Sequence, residues 1–594
     1  MYILPTLDKL KAQSVPNDTA SALAIAQDWL DKFLKTKNVE NLFLEDSFWR
    51  DILALTSDTR TFIGSSKIKA LLDARGDFIQ SSSSSSPQIL QDPHNRPVIT
   101  NIFPDLIFLQ FTFGFETPVG TAIGIARLVP GESDHGQWRA YTVFTALESL
   151  KNVVEKIGAH RETVPVVEPW DDVRQKQIDF ADGDPDVLVI GAGHTGLEMA
   201  AHLKHLGVDA LVVDKNPRIG DNLIQLHTSP SQPGNHPGYD ALPYLNFPTS
   251  WPVYPNARKA TNLPPFPFDK LANFLEAYAE TLELSVWTSS FLTSSSWNDS
   301  TKSWEVIISR GGGELKGRKM NVKHIVFGTG FGGGVPNMPG VANKDKFKGQ
   351  VFHSSNFKSA REFRGKKAIV VGACNSGHDI AQDFQRNGVD VTMYQRSSTY
   401  VISAKCIAAI LGGLYNEESN TEYSDRVNAS LPFPVIELLQ KRATPALADT
   451  VDKELLNNLN KVGFKTNLGP GNAGIFPLLF TKAGGYYIDT GGSQDIIDGK
   501  IKLKNGSAIK EFKETGLAFE DGETLEADVI VFATGYGDSK DSIAPVLGKQ
   551  VVERMTPIWG LDEEGEVNGI WKDTGVEEIK AKLDGTLPPK LERF

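Results

Sequence analysis

The sequence predicts an α/β protein: two parallel-sheet domains of the βαβ type, the second inserted in the first, preceded by a smaller α+β domain. Three observations carry this. The segments Asp186 to Asn216 and Lys366 to Ser398 repeat one order of apolar run, glycine turn, amphipathic run and second apolar run. The N-terminal stretch changes from a helical pattern (SALAIAQDWLDKFL) to long alternating runs (DLIFLQFTFGF, QWRAYTVFTAL). At 594 residues the chain exceeds one ordinary core, and 40% hydrophobic with 23% charged residues supplies enough apolar material for several.

Taken in order, residues 1–150 form the α+β domain, with Ser81 to Ser86 as a flexible loop. Residues 151–184 are charged, lack a long apolar period and end in DGDPD, which makes them a linker. Residues 185–360 hold the first βαβ unit. Residues 361–510 hold the second, with an irregular, partly helical cover between about Ile407 and Gly492. Residues 511–594 return to the first domain through ADVIVFATGYG, a buried strand with a glycine-rich exit.

A formal charge of -12, without a stripe of Lys and Arg, disfavours nucleic acid and leaves a small molecule as the expected partner. Cys374 and Cys406 are too far apart for a CxxC pair and too few for a disulfide scaffold, so a reducing compartment is expected. No basic region followed by an apolar run opens the chain, and no apolar run approaches membrane-spanning length; a cytoplasmic protein is expected. No metal-ligand cluster stands out.

In Gly191-Ala-Gly193-His194-Thr195-Gly196 the first glycine permits a tight turn, the second lets a pyrophosphate approach the backbone, and the third packs helix on strand. The phosphate then meets the helix N-terminus, and Asp214, closing the second apolar run, is placed for ribose hydroxyls. The second turn, Gly372-Ala-Cys374-Asn375-Ser376-Gly377, keeps the outer glycines but has Cys374 where close approach favours glycine. Its second strand ends in Arg396 and Ser397, a guanidinium and a hydroxyl suited to a 2'-phosphate. These are two Rossmann-like dinucleotide folds, the acid-ended one for FAD and the Arg-ended one for NADPH. Cys374, without a second Cys nearby, reads as a small residue in a turn rather than a nucleophile.

Between the folds lies Phe347-x-Gly349-x-x-x-His353-x-x-x-Phe357. This resembles the identifying FxGxxxHxxx[FY] motif of the flavin-containing monooxygenases. The run GKKAIVVGACNSGHDIAQDF and the later Ala533-Thr534-Gly535-Tyr536 are similar to that family too, especially its fungal members and the plant indole-pyruvate monooxygenases. The resemblance covers about Asp184 to Gly537. It implies an FAD- and NADPH-dependent monooxygenase that inserts one oxygen atom of O2 into a small organic substrate through a flavin C4a-hydroperoxide, in specialised metabolism. Phe357, where Baeyer-Villiger relatives carry Trp, points to N- or S-oxygenation or keto-acid decarboxylation. The resemblance further places Asn375 and Ser376 by the nicotinamide cofactor, and Leu226 and His227 near the flavin. Lys215, Gly220, Asp221, Asn222, Thr534 and Gly535 are also expected to line the cofactor sites. His353 is expected to hold domains in place, and no catalytic side chain is nominated.

The chain departs from the family pattern in three places: Gly220-Asp221-Asn222 runs to Leu223 without a Trp-Arg or Trp-Lys pair, NARKATNLPPFPF interrupts the lead into the next helix, and VEEIKAKLDG follows GIWKDTG where relatives close the FAD site. A catalytically impaired homologue acting as a binding or scaffold protein is therefore the alternative reading. A disulfide reductase would share both folds but needs a redox Cys pair. The order of helices, Trp49 to Asp51, then alternating strands resembles the cone-shaped fold of nuclear transport factor 2 and ketosteroid-type enzymes. That resemblance implies a substrate holder, a homodimer face or a stabilising unit, with Asp51 and His94 more readily structural than catalytic.

Overall fold

Each glycine turn sits at the carboxyl end of a parallel strand, and each parallel sheet is built from the apolar runs around it. The computed structural model describes the chain apart from residues 1, 12–14, 17, 37–38, 80–86, 132–136, 162–167, 222–267, 312–316, 331–333, 417–418 and 570–594. It divides into two units: Met1–Val154 with Glu418–Ala443 and Arg554–Phe594, and Glu155–Glu417 with Thr444–Glu553.

The first unit is organised by a seven-stranded sheet in the order Thr59–Ile63, Phe43–Ile52, Trp138–Leu150, Gly120–Pro130, Leu106–Glu116, Gln88–Ile89, with Val98–Phe103 also paired to Leu106–Glu116. All neighbours are antiparallel except Phe43–Ile52 with Trp138–Leu150. One face buries Trp29, Phe33, Phe43, Trp49, Phe111 and Phe113 with the helix Thr19–Thr36, whose apolar side chains recur at helical spacing. Burying rings of this size supplies most of that domain's hydrophobic stabilisation.

The opposite face is covered by two segments remote in sequence. Val435 packs with Phe48, Phe108 and Tyr141. The Arg127 guanidinium donates to Ser430 Oγ at 2.7 Å, and burial pulls it down to about 10. In the hairpin Leu561–Val567, Glu566 accepts a bidentate bond from Arg50 at 2.7 and 2.8 Å on this face, and Glu564, at the edge strand Thr59–Ile63, accepts from Nη2 of Arg60 at 2.6 Å. Glu566 and Arg60 are each about 1% exposed, so these ions are matched inside a region with little water.

Asp51 lies in the same strand as Arg50. It accepts hydrogen bonds from the Leu55 and Thr56 amides at 3.1 and 2.9 Å, and from the Thr56 and Thr145 hydroxyls at 2.7 and 2.5 Å. These bonds hold the turn in which Leu53 takes a left-handed φ of 63°. Burial still pushes its carboxyl up to about 6. Asp51 is thus committed to a turn. His94 is exposed, beside the Tyr423 ring.

In the second unit, a four-stranded parallel sheet runs Ser285–Trp287, Ala210–Val213, Val187–Ile190, His324–Phe327. A five-stranded parallel sheet runs Gln350–His353, Val529–Phe532, Lys367–Val371, Asp390–Gln395, Lys502–Asn505. Its continuous Val and Ile runs follow from burial on both faces. A small parallel sheet joins Thr466–Asn467, Thr399–Ser403 and Tyr486–Asp489 within the helical cover.

The structure differs from the sequence expectation at two boundaries. The strand within Ala527 to Gly537, expected in the first nucleotide fold with residues 511–594, pairs in the sheet of the second, as does Gln350–His353. A buried Val-Ile run fits either parallel sheet, and pairing partners leave no local mark. The cover expected over the second fold is also divided, because residues 418–443 cluster with the N-terminal domain; so do the described residues from 554, which were expected in the first nucleotide fold. Among the described residues no helix is long and apolar enough to cross a membrane, and no group of three His, Cys, Asp or Glu is placed to hold a metal ion.

Candidate dinucleotide sites

At the first turn Gly191 has φ 106°, and a Cβ there would lie 2.7 Å from the Gly328 carbonyl oxygen. A Cβ at Gly196 would lie 1.9 Å from the Gly191 carbonyl, so only glycine lets the helix His194–His205 start against the strand. Gly193 caps the helix that His194 opens, and no capping side chain competes with an anion for first-turn amides such as those of Thr195 and Gly196. The Asp214 carboxylate accepts from the Ala192 amide at 2.7 Å and from the Asn216 amide at 2.8 Å. It therefore fixes the glycine loop while each oxygen keeps a further lone pair. Lys215 is exposed beside it. Gly220, at φ 83°, comes against the helix Phe268–Thr281 at Ala272, and Asp221 accepts from the Arg218 amide at 3.1 Å. Asn222, Leu226 and His227 lie outside the described residues, as do most of the proline-rich insertion and the segment after Gly569.

The second turn repeats this geometry. Gly372 has φ 130°, a Cβ there would lie 2.3 Å from the Ala533 carbonyl, and one at Gly377 2.1 Å from the Gly372 carbonyl. Cys374 caps the helix Asn375–Arg386 at φ −103°, ψ −169°, close to the φ −85°, ψ −171° of Gly193. That extended backbone is open to any residue, which explains how a Cys occupies the position. Burial pushes the Cys374 thiol up, away from nucleophilic use. Ser376 follows in the first helical turn. Arg396 and Ser397 are exposed at the end of the neighbouring strand. The Thr534 hydroxyl donates to the Asn337 carbonyl, and the Gly535 carbonyl accepts from the Asn337 amide at 2.9 Å.

The linker motif is a staple. Phe347 is buried against Phe512, and Phe357 against Phe384 at 5.3 Å between ring centroids. A Cβ at Gly349 would lie 2.3 Å from the Asp528 carbonyl. His353 Nε2 lies 3.0 Å from the Gly535 carbonyl oxygen, and Nδ1 accepts from the Ser355 amide at 3.1 Å. This fixes the tautomer with Nε2–H as donor. Phe357 is thus a core residue of the second fold. Sequence reasoning missed His378 and Tyr487, whose rings stack at 3.5 Å beneath the second turn. The signal available was an imidazole on the buried side of an amphipathic helix.

Two parallel folds, each with a glycine turn opening on a helix N-terminus and with strand ends of opposite charge, define an oxidoreductase that brings two dinucleotides together. Residues 245–554, just over half the chain, match the family model described as Flavin-binding monooxygenase-like, and residues 186–225 match that of the pyridine nucleotide-disulphide oxidoreductases. The chain is 27% identical over 369 residues to indole-3-pyruvate monooxygenase YUCCA1 of Oryza sativa subsp. japonica, covering 59% of this chain and 77% of the relative. It is 26% identical to the probable indole-3-pyruvate monooxygenase YUCCA10 of Arabidopsis thaliana, covering 59% and 82%. An open crystal structure of cyclohexanone monooxygenase superposes with a TM-score of 0.43 at 16% identity, over 61% of this chain and 76% of that one. The chain belongs to the flavin-binding monooxygenase-like family: it is a flavin-dependent monooxygenase, an oxidoreductase that uses FAD and NADPH.

Proposed function

We propose that the protein oxygenates a small organic substrate, by N- or S-oxygenation or by oxidative decarboxylation of a keto acid. The observation that carries this reading is the pair of glycine turns with opposite strand-end charges, Asp214 at one and exposed Arg396 at the other. In this reading FAD lies on Gly191, Gly193, His194, Thr195 and Gly196, with its ribose on the free lone pairs of Asp214 and with Lys215, Gly220 and Asp221 nearby. NADPH lies on Gly372, Cys374, Asn375, Ser376 and Gly377, its 2'-phosphate on Arg396 and Ser397. Thr534 and Gly535 border it at the end of the adjacent strand.

When bound, the flavin supplies the oxygen-activating chemistry. The chain's own residues bind, orient and exclude water. The helix N-termini neutralise pyrophosphate charge without a side-chain cation. His353 holds the Gly535 turn, and burial keeps its imidazole below the usual range, so it is neutral and donates without moving a proton. The kinship with indole-pyruvate monooxygenases supports the keto-acid arm. The N-terminal domain, whose described sheet faces are both covered within its own unit, stabilises that unit in this reading.

The test is an absorption spectrum of the purified protein with added FAD, followed by NADPH in air. A flavin band bleached by NADPH and restored by oxygen, followed by turnover of a keto acid, amine or sulfide, is the expected result. Failure to retain flavin would favour a binding or scaffold homologue.

A further inference from the structure

The second turn carries a cysteine where its fingerprint favours glycine, and the structure gives that cysteine a partner. Tyr486–Asp489 is an edge strand, paired on one side with Thr399–Ser403. An edge strand leaves alternate amides unpaired on its other side. The open-side amides of Tyr486 and Ile488, with that of Gly485 just before the strand, meet the turn. The Cys374 sulfur faces the Gly485 and Tyr486 amides, and Asn375 Oδ1 accepts from the Ile488 amide at 2.9 Å. One helical turn on, the His378 imidazole, 0% exposed, donates from Nδ1 to the Cys374 carbonyl at 3.1 Å and stacks on Tyr487 with 4° between the ring planes. Tyr487 in turn accepts from the Gly492 amide at 3.1 Å. Nε2 of His378, Oε1 of Gln382, Oγ1 of Thr490 and Oγ of Ser493 are buried near this contact without a hydrogen-bond partner.

We propose that the edge strand Tyr486–Asp489 is a clamp that sets the position of the NADPH-binding turn, with Cys374 and His378 as its positioning residues. Three side chains within five residues reach one strand, and the strand belongs to the helical cover rather than to the nucleotide sheet. Cys374 is then a device: its backbone takes the extended conformation that Gly193 takes, while its side chain is spent on the clamp instead of obstructing the phosphate. Asn375 holds the strand through its carbonyl oxygen and keeps its amide group for the nucleotide side.

The inference rests on NADPH occupying this turn, so the test has two readouts on the full chain: NADP+ affinity by calorimetry, and amide hydrogen exchange at Gly485–Ile488 without nucleotide. Fingerprint logic expects Cys374→Gly to bind NADP+ as well as or better than wild type. The clamp predicts about tenfold weaker binding, roughly 1.4 kcal/mol, and faster exchange at Gly485 and Tyr486. Cys374→Ser, which keeps an acceptor, should stay near wild type in both. His378→Phe keeps the stack but loses the donor to the Cys374 carbonyl. It should weaken NADP+ binding with an unchanged flavin spectrum, and it serves should the glycine variant fail to fold. Unchanged exchange and undiminished affinity in Cys374→Gly and His378→Phe would overturn the clamp. Wild type that binds no NADP+ would sink the cofactor assignment, while the exchange data would still decide the clamp.

Discussion

His353 Nε2 lies 3.0 Å from the carbonyl oxygen of Gly535, joining the linker motif to the exit of a strand nearly two hundred positions later. The imidazole is buried, while the Gly535 carbonyl also accepts from the Asn337 amide, so losing this bond costs what an ordinary hydrogen bond is worth net, about 0.5–1.5 kcal/mol. His353→Ala should lower stability by about that amount in thermal or denaturant unfolding. His353→Gln, which retains a donor, should recover part of the loss.

Acid stability should report His378. Burial holds its imidazole down to about 4, against an ordinary 6.5, with Asp379 and Asp489 opposing the shift. The unfolded chain binds the proton first, so the contribution is complete above about pH 6.5 and declines as pH falls towards 4. At 1.36 kcal/mol per unit this is on the order of 3 kcal/mol. Asp51, raised to about 6, has the opposite slope between about pH 4 and 6. Unfolding midpoints across pH 4–7 should therefore lose the His378 slope in His378→Phe and the Asp51 slope in Asp51→Asn.

Removing one member of a buried ion pair should be far worse than removing both. Glu566→Ala leaves the Arg50 guanidinium buried, at a cost of about 3–5 kcal/mol. The double replacement Arg50→Met with Glu566→Leu should fall within about 1–2 kcal/mol of wild type. A double-mutant cycle by denaturant unfolding measures both.

Arg396 is exposed at its strand end, so Arg396→Gln should change stability by less than about 0.5 kcal/mol. Losing a charge-assisted contact to a 2'-phosphate should weaken NADPH by about 10-fold or more while leaving NADH nearly unchanged. Parallel titrations with the two nucleotides check it.

The glycine turns were legible because sterics at Gly191, Gly196, Gly372 and Gly377 act within a few residues, and the pattern of strand, turn and helix surrounds them. The linker motif was legible as a resemblance, and its physical meaning came only with the carbonyls of Gly535 and Asp528 beside it. What sequence could not show were contacts with no local pattern. Glu564 and Glu566 lie in a short acidic stretch, and nothing near them in sequence marks Arg60 and Arg50 as their partners. The strand Val529–Phe532 was visible as a strand, but its neighbours were not. Cys374 looked like a tolerated exception until the edge strand facing it was seen.

The separation of 516 positions between Arg50 and Glu566 sets an order of events during synthesis. At ribosomal speeds of about 5–20 residues per second, the sheet carrying Arg50 emerges roughly half a minute to two minutes before the hairpin that covers it. During that interval a guanidinium destined for burial stays hydrated, and apolar side chains beside it stand open to chaperones or to neighbouring nascent chains. The sheet of this unit is thus made long before the segment that completes it.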